Sequence, residues 1–302
     1  MPTQDFTADV RRAEYAARFN RVVDYIQGHL AKAMDLETLA GVACFSPYHF
    51  HRLFHGWMGE TLHDFIFRLR VERAAAQLAY SPGKSITEVA LDCGFSSPST
   101  FARAFRAFHG ISASDWRRQR RFPDPAGAGR PPGAVGGGAF PMALKVEVRR
   151  LEPMHVAYLR HLGPFQENSA LFERLLGRIR AWAGARGLLL PTARLLSISH
   201  DAPEITDARK LRLDAAITVP EGTRTDGEIG RQRLDGGTYA VARVRIRANQ
   251  FVETWDTLMG GWLPGSGYQP DDRPRFELYL NDPAADPEGM IEVEVCLAVK
   301  PL

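Results

Sequence analysis

Cysteine is scarce in this chain. There are three among 302 residues, and Cys44, Cys93 and Cys296 are scattered and odd in number, which excludes a disulfide framework and a CxxC metal site. No uncharged apolar run approaches the ~18 residues that a membrane-spanning helix needs. The opening MPTQDFTADVRRAEY has no apolar core of the kind that directs secretion. The expectation is a cytoplasmic protein with no membrane partner. No GxSxG occurs and no Ser/His/Asp order stands out, so no hydrolase triad is expected. Gly136-Gly137-Gly138 follow no predicted strand and open no helix, which argues against a phosphate loop. His51 and His55 have metal-ligand spacing but lack a third ligand or a glutamate after the first histidine, so neither metal nor cofactor is expected.

What is present divides unevenly. The net charge is +3, but residues 1–121 hold 16 Lys/Arg against 12 Asp/Glu, whereas residues 143–302 hold 21 against 22. Six of the nine histidines lie in the first part. Between the two, FPDPAGAGRPPGAVGGGAFP is rich in Pro, Gly and Ala and has no face to bury, the composition of a flexible linker. Three segments follow: a helical domain over 1–121, a linker over 122–142, and a mixed domain over 143–302. The expected fold class is therefore multidomain, an all-α half followed by an α+β half.

The first half is expected to form helices near 11–32, 36–43, 47–57, 61–80, 85–92, 97–108 and 112–120. Ser46-Pro47 and Ser97-Pro98 each place an N-cap serine before a proline at the first helical position. Ser85 with Glu88 reads as a capping box, and Thr61 with Asp64 as a looser version of one. These helices contain a repeat. Ala40, Phe45 and Ser46 recur 50 residues later as Ala90, Phe95 and Ser96. After one inserted residue, Pro47, Phe50, Arg52, Phe54 and Gly59 recur as Pro98, Phe101, Arg103, Phe105 and Gly110. Phe50, Leu53 and Phe54 share one helical face, as do Phe101, Ala104 and Phe105. The letters that change face outward: Tyr48, His49, His51 and His55 in one copy, Ser99, Thr100, Ala102 and Arg106 in the other. Arg52 and Arg103 persist. Fixed packing residues with free outward residues are what a helix-turn-helix requires, since the outward residues read base edges in the major groove. Two copies joined by one helix would reach adjacent grooves of double-stranded DNA. Cys44 and Cys93, near the two turns, are expected as small buried core residues.

LETLAGVACFSPYHFHRLFHGWMGETLHDFIFRLRVERAAAQL and SITEVALDCGFSSPSTFARAFRAFHGISASDWRR resemble the AraC/XylS family of transcription regulators over roughly residues 18–120. The resemblance implies that the third and sixth helices enter consecutive major grooves. It puts Tyr48, His51 and Arg52, and then Ser99, Thr100 and Arg103, on bases or nearby phosphates. Pro98 and Ala102 cannot donate hydrogen bonds, so the second reading helix is expected to contact backbone more than bases.

The second half also repeats, more faintly. His200-Asp201 aligns with Asn281-Asp282, and Val219-Pro220 with Lys300-Pro301, at one offset. Two strand-helix-strand-strand units would then pack about a pseudo-twofold axis, with a ligand cleft at the seam. In RFELYLND the alternation sends Phe276, Leu278 and Leu280 to one face, and Glu277 and Tyr279 to the other. A buried carboxylate is costly unless a cation arrives or its proton stays on. Tyr158, Phe165, Trp262, Tyr268 and Tyr279 are available to line a pocket for a flat or quaternary cation. Pattern alone leaves this reading level with a plain one, in which Glu277 pairs with an arginine on a solvated face.

AYLRHLGPF, LRLDAAITVP, GGTYAVARV, WLPGSGY and FELYLND, in that order, resemble the gyrase-inhibitor-like (GyrI-like) small-molecule-binding domain over about residues 143–302. The resemblance implies that Glu277, with Tyr279 and with Trp262 as a wall, meets cationic ligands in an aromatic pocket. Some relatives of the fold are hydrolases of cyclopropane-type toxins that use this glutamate with a tyrosine. Here that partner would be Tyr158 or Tyr239. The expectation is a non-enzymatic, DNA-binding transcription regulator whose second half binds a small cationic or aromatic effector, with RNA polymerase a candidate further partner. The alternative is a toxin hydrolase fused to a DNA-binding domain.

Overall fold

The computed structural model describes residues 3–119, 144–165 and 168–302; the expected linker over 122–142 lies outside them. Two compact units divide the chain, one helical and one built on a sheet.

The helical unit contains α1 (Thr3–Gly28), α2 (Leu36–Val42), α3 (Pro47–Met58), α4 (Leu62–Tyr80), α5 (Ile86–Asp92), α6 (Pro98–His109) and α7 (Ala113–Gln119). α1 begins eight residues before the expected start, because nothing between Thr3 and Arg11 breaks a helix, and it ends at Gly28. Helices α2–α3 and α5–α6 are the two copies of the repeat. Phe50 and Phe54 are wholly buried in a core with Phe19, Val22 and Ile26 of α1, Leu39 of α2 and Phe65 of α4. Phe101 and Phe105 are equally buried in the second copy, where Trp116 of α7 stacks edge-on against Phe105 and donates its indole N–H to the Ala75 carbonyl of α4 at 3.1 Å. α4 thus carries both copies. Its 19 residues span about 28 Å at 1.5 Å per residue.

The caps separate the expected signals. Ser85 and Glu88 make the reciprocal capping box. Thr61 accepts from the Asp64 N–H but returns its own hydroxyl to the Asp64 carboxylate, so it is a simple cap. Ser97 caps α6 through the Thr100 N–H. Ser46 occupies the N-cap position of α3 with the right backbone, yet its side chain makes no cap bond.

The second unit comprises β1 (Val146–Leu151), β2 (Met154–Leu162), α8 (Ser169–Gly184), β3 (Leu195–Ser199), β4 (Arg212–Thr218), β5 (Gly230–Leu234), β6 (Gly237–Ile246), α9 (Phe251–Asp256), β7 (Tyr268–Pro270), β8 (Arg275–Tyr279) and β9 (Ile291–Pro301). The strands lie in the order β1-β6-β9-β8-β3-β4-β2-β5, with β7 beside β9. Exchanging β1 with β5, β2 with β6, β3 with β8 and β4 with β9 reverses this order onto itself, so the expected pseudo-twofold runs between β3 and β8. The leading segment of each repeat is two strands. The break falls at Pro153, which has no N–H to donate to a ladder, and at Gly236-Gly237. These turns meet closely: a Cβ on Gly236 would sit 2.6 Å from the Leu151 carbonyl oxygen. Each repeat also lends its first strand to the other, β1 pairing with β6 and β5 lying beside β2.

Register sorts the side chains onto two faces, because directly paired residues in antiparallel strands point the same way. One row runs Leu159–Ala215–Ser197–Glu277–Val295–Ala242. The row beside it, on the opposite face, runs Tyr158–Ala216–Leu196–Leu278. On that second face Tyr158, Tyr239, Phe276 and Cys296 belong to one core cluster. Also there, Asp214, wholly buried, receives Arg160 in a fork at 2.7 and 2.8 Å, His200 at 2.6 Å and Gln232 at 2.8 Å. Paired in this way, the carboxylate stays ionised in a core that would otherwise expel it.

Candidate functional site

α3 and α6 present the outward residues that the repeat left free. Tyr48 is 66% exposed, and His49, His51, Arg52 and His55 are exposed beside it. The Arg52 guanidinium lies over the Tyr48 ring, 5.8 Å from its centroid, so one turn of α3 holds a cation and an aromatic ring together in solvent. On α6, Ser99, Ala102, Arg103 and Arg106 are exposed. Thr100 is half-buried, its hydroxyl 2.9 Å from the capping Ser97 hydroxyl. This face therefore offers fewer free donors than α3, and two of them are arginines. Buried Phe50, Phe54, Phe101 and Phe105 on the reverse faces fix both orientations.

Cys44 departs from expectation. It is exposed, not buried, and its φ of 55° places it in the left-handed region. The repeat explains this, since 50 residues on stands Gly94 with φ 83°. Cys93, by contrast, aligns with Ala43 and is buried.

In the sheet unit the first face gathers a second site. Glu277 on β8 is 8% exposed. One carboxylate oxygen accepts from the Trp255 indole N–H at 2.7 Å; the other accepts from the Ser197 hydroxyl across the β3–β8 pair. The Tyr279 hydroxyl lies 3.1 Å from the same Ser197 oxygen. With Glu277 ionised, tyrosine donates to serine and serine to glutamate. Burial pushes the Glu277 carboxyl above its ordinary pKa, against the opposing pull of the two hydrogen bonds and of Arg275. Burial also pushes the Tyr279 phenol up, reinforced by Glu277. Neither group gives up a proton readily where it stands.

Trp255, which bonds this carboxylate, and Tyr279, which reaches it through Ser197, belong to a wider aromatic cluster. Trp255, Trp262, Tyr268, Phe251 and Tyr279 pack on the cluster that includes Val293, Val295 and Leu258. α9 passes directly into a π-helical turn over Thr257–Trp262, the wider helical form that recurs at functional sites. Its chemistry is local: the Thr254 and Thr257 hydroxyls bond the Gln250 and Glu253 carbonyls at 2.8 Å, competing with the helical ladder, and Gly260-Gly261 follow.

Of the residues expected around Glu277, the structure brings Tyr279, Trp262 and Tyr268 to one cluster and leaves two elsewhere. Tyr158 is in the row facing the other way, because one step along β2 reverses the side chain. Tyr239 belongs to that opposite cluster too, so neither tyrosine expected as a catalytic partner shares a face with Glu277. Phe165 meets Phe172 of α8, ring centroids 6.2 Å apart, outside the cluster of Tyr279 and Trp262. Two residues were missed. Trp255 stands seven positions before Trp262, a spacing that would share one side in a regular α-helix, a signal the sequence offered. Ser197 reaches Glu277 only through strand register, which single-sequence pattern does not carry. No group of three or more potential metal ligands occurs among the described residues, and no helix there is long and apolar enough to cross a membrane.

Comparison with known proteins follows the same division. The family model described as a GyrI-like small molecule binding domain matches residues 144–300, and the one described as a helix-turn-helix domain matches residues 39–119. A DNA gyrase inhibitor of Edwardsiella piscicida is 36% identical over 159 residues, 51% of this chain and 97% of that protein. A probable transcriptional regulator, LumQ, of Photobacterium leiognathi is 37% identical over 102 residues, 33% of this chain and 41% of that protein. A solved transcriptional regulator with an AraC-type DNA-binding domain, from Chromobacterium violaceum, covers 34% of this chain and 91% of its own at 26% identity, with a TM-score of 0.33.

Proposed function

For a chain that belongs to the GyrI-like small-molecule-binding family and joins that domain to an AraC-type helix-turn-helix domain, we propose a one-component transcription regulator, cytoplasmic and not an enzyme, in which residues 143–302 sense an effector and residues 1–121 hold the operator. Residues 122–142 serve as the tether. Tyr48, His49, His51 and Arg52 of α3 read the first major groove; Ser99, Thr100 and Arg103 of α6 engage the next, more through phosphates than bases. Glu277, Tyr279 and Trp262, with Trp255 and Ser197, form the effector site. RNA polymerase is the further partner through which occupancy reaches transcription.

One observation carries the effector reading: a buried carboxylate, at the edge of an aromatic cluster, whose partners are an indole N–H and a hydroxyl. Such a group favours a cationic or aromatic guest, which supplies the charge or ring face that the site leaves uncompensated. Regulation requires that the guest bind one DNA-affinity state better than the other.

The test measures operator affinity with and without effector, in wild type and in Glu277→Gln. Loss of the effector response with operator binding retained supports the regulator. The hydrolase alternative now rests on Tyr279, the tyrosine that shares Glu277's face. Turnover of an electrophilic cyclopropane by wild type, abolished in Glu277→Gln, would replace the sensor reading with it.

A further inference from the structure

Arg275 is two residues before Glu277 on β8 and shares its face. Strand geometry puts the two positions ~7 Å apart. Among the described residues its side chain makes no hydrogen bond or ion pair; its guanidinium lies over the Trp255 ring, 5.1 Å from the centroid. That same indole donates its N–H to Glu277. One tryptophan therefore holds a cation on its face and an anion at its edge. The next residue, Asp256, belongs to this environment as well, its carboxyl pushed up by burial and by Glu204 and drawn down by Arg275.

We propose that the Glu277 site takes an aromatic zwitterion, with Glu277 receiving its cationic group and Arg275 its acidic group. The inference rests on the reading that Glu277 forms the effector site, and adds the second charge. A guanidinium presents five donors in a planar fork that matches a carboxylate. The contact of Arg275 with the Trp255 ring leaves the N–H groups with no hydrogen-bond partner among the described residues, free for a ligand. A guest with only positive charge would lie within ~7 Å of Arg275 and be repelled by it. A guest with only negative charge would face Glu277 and Asp256. A small molecule carrying both groups on a ring satisfies each.

Isothermal titration of the full chain with L-tryptophan, tryptamine and indole-3-acetate tests this, because one ring carries both charges, the positive one or the negative one. The zwitterion is expected to bind at least tenfold more tightly than either of the others. Arg275→Gln should bring L-tryptophan down to the affinity of tryptamine, whereas Arg275→Lys, which keeps the charge without the fork, should retain part of the preference. Glu277→Gln should weaken L-tryptophan and tryptamine alike. Tryptamine binding as tightly as L-tryptophan, with Glu277 dependence intact and Arg275→Gln neutral or favourable, overturns the role of Arg275 and leaves the Glu277 site standing. Failure of all three probes to bind, or binding indifferent to Glu277→Gln, overturns both.

Discussion

Cys44 and Gly94 occupy the same place in two copies of one turn, both at positive φ, 55° and 83°. Only glycine adopts that backbone without a Cβ penalty. In the second copy the glycine is required twice over, because an added Cβ would meet the Leu30 carbonyl oxygen at 2.7 Å and the Arg70 side chain at 2.9 Å. That arginine bonds the Leu30 and Lys32 carbonyls beyond the end of α1, so it has little room to retreat. Gly94→Ala is expected to cost about 2–3 kcal/mol, the sum of strain and steric displacement. Cys44→Gly should stabilise the helical unit by about 1 kcal/mol. Urea unfolding followed by far-UV circular dichroism measures both, and opposite signs are the outcome to look for.

The two N-cap serines make a second matched pair. Ser97→Ala removes a bond to the Thr100 amide and should cost about 1 kcal/mol. Ser46→Ala removes none and should fall within ~0.5 kcal/mol of wild type. Amide exchange in the first turns of α6 and α3 distinguishes them, with protection falling about fivefold in α6 alone.

Stability should fall with pH because of Glu277. Its folded-state pKa is raised by burial, so the folded state holds the proton over a range where the unfolded chain has released it, and the slope of stability with pH is negative there. The penalty is absent below the unfolded carboxyl's pKa and complete once pH exceeds the folded one. Glu277→Gln can keep the Trp255 bond and meet Ser197 through its amide without the charge. Thermal melts should therefore show the variant above wild type at pH 8 and level with it near pH 4.

On the DNA face, Arg52→Ala should weaken specific operator binding by about 1–3 kcal/mol and relax preference at one base position. Arg103→Ala should weaken binding across sequences alike and reduce the salt dependence by about one counterion. Fluorescence anisotropy over a salt series, on operator and scrambled duplexes, gives both quantities. Equal losses on the two duplexes for Arg52→Ala would remove it from base reading.

Local chemistry was legible in the residues alone. The helix pairs, the turn, the serine–proline starts and the phenylalanine faces are set within a few residues of each other, and propensity, capping and 3.6-residue periodicity are short-range effects. The alternation in RFELYLND likewise separated Glu277 and Tyr279 from Phe276 and Leu278, since a strand needs only its own pleat to do so. What joins Ser197 to Glu277 across 80 residues and keeps Tyr158 and Tyr239 on the other face is strand order and register. Those depend on how two repeats exchange their leading strands and bury both faces of one sheet at once. A one-residue change of register would have put a different set of side chains around the same carboxylate. Only the folded chain, by minimising exposed apolar area over all strands together, makes that choice.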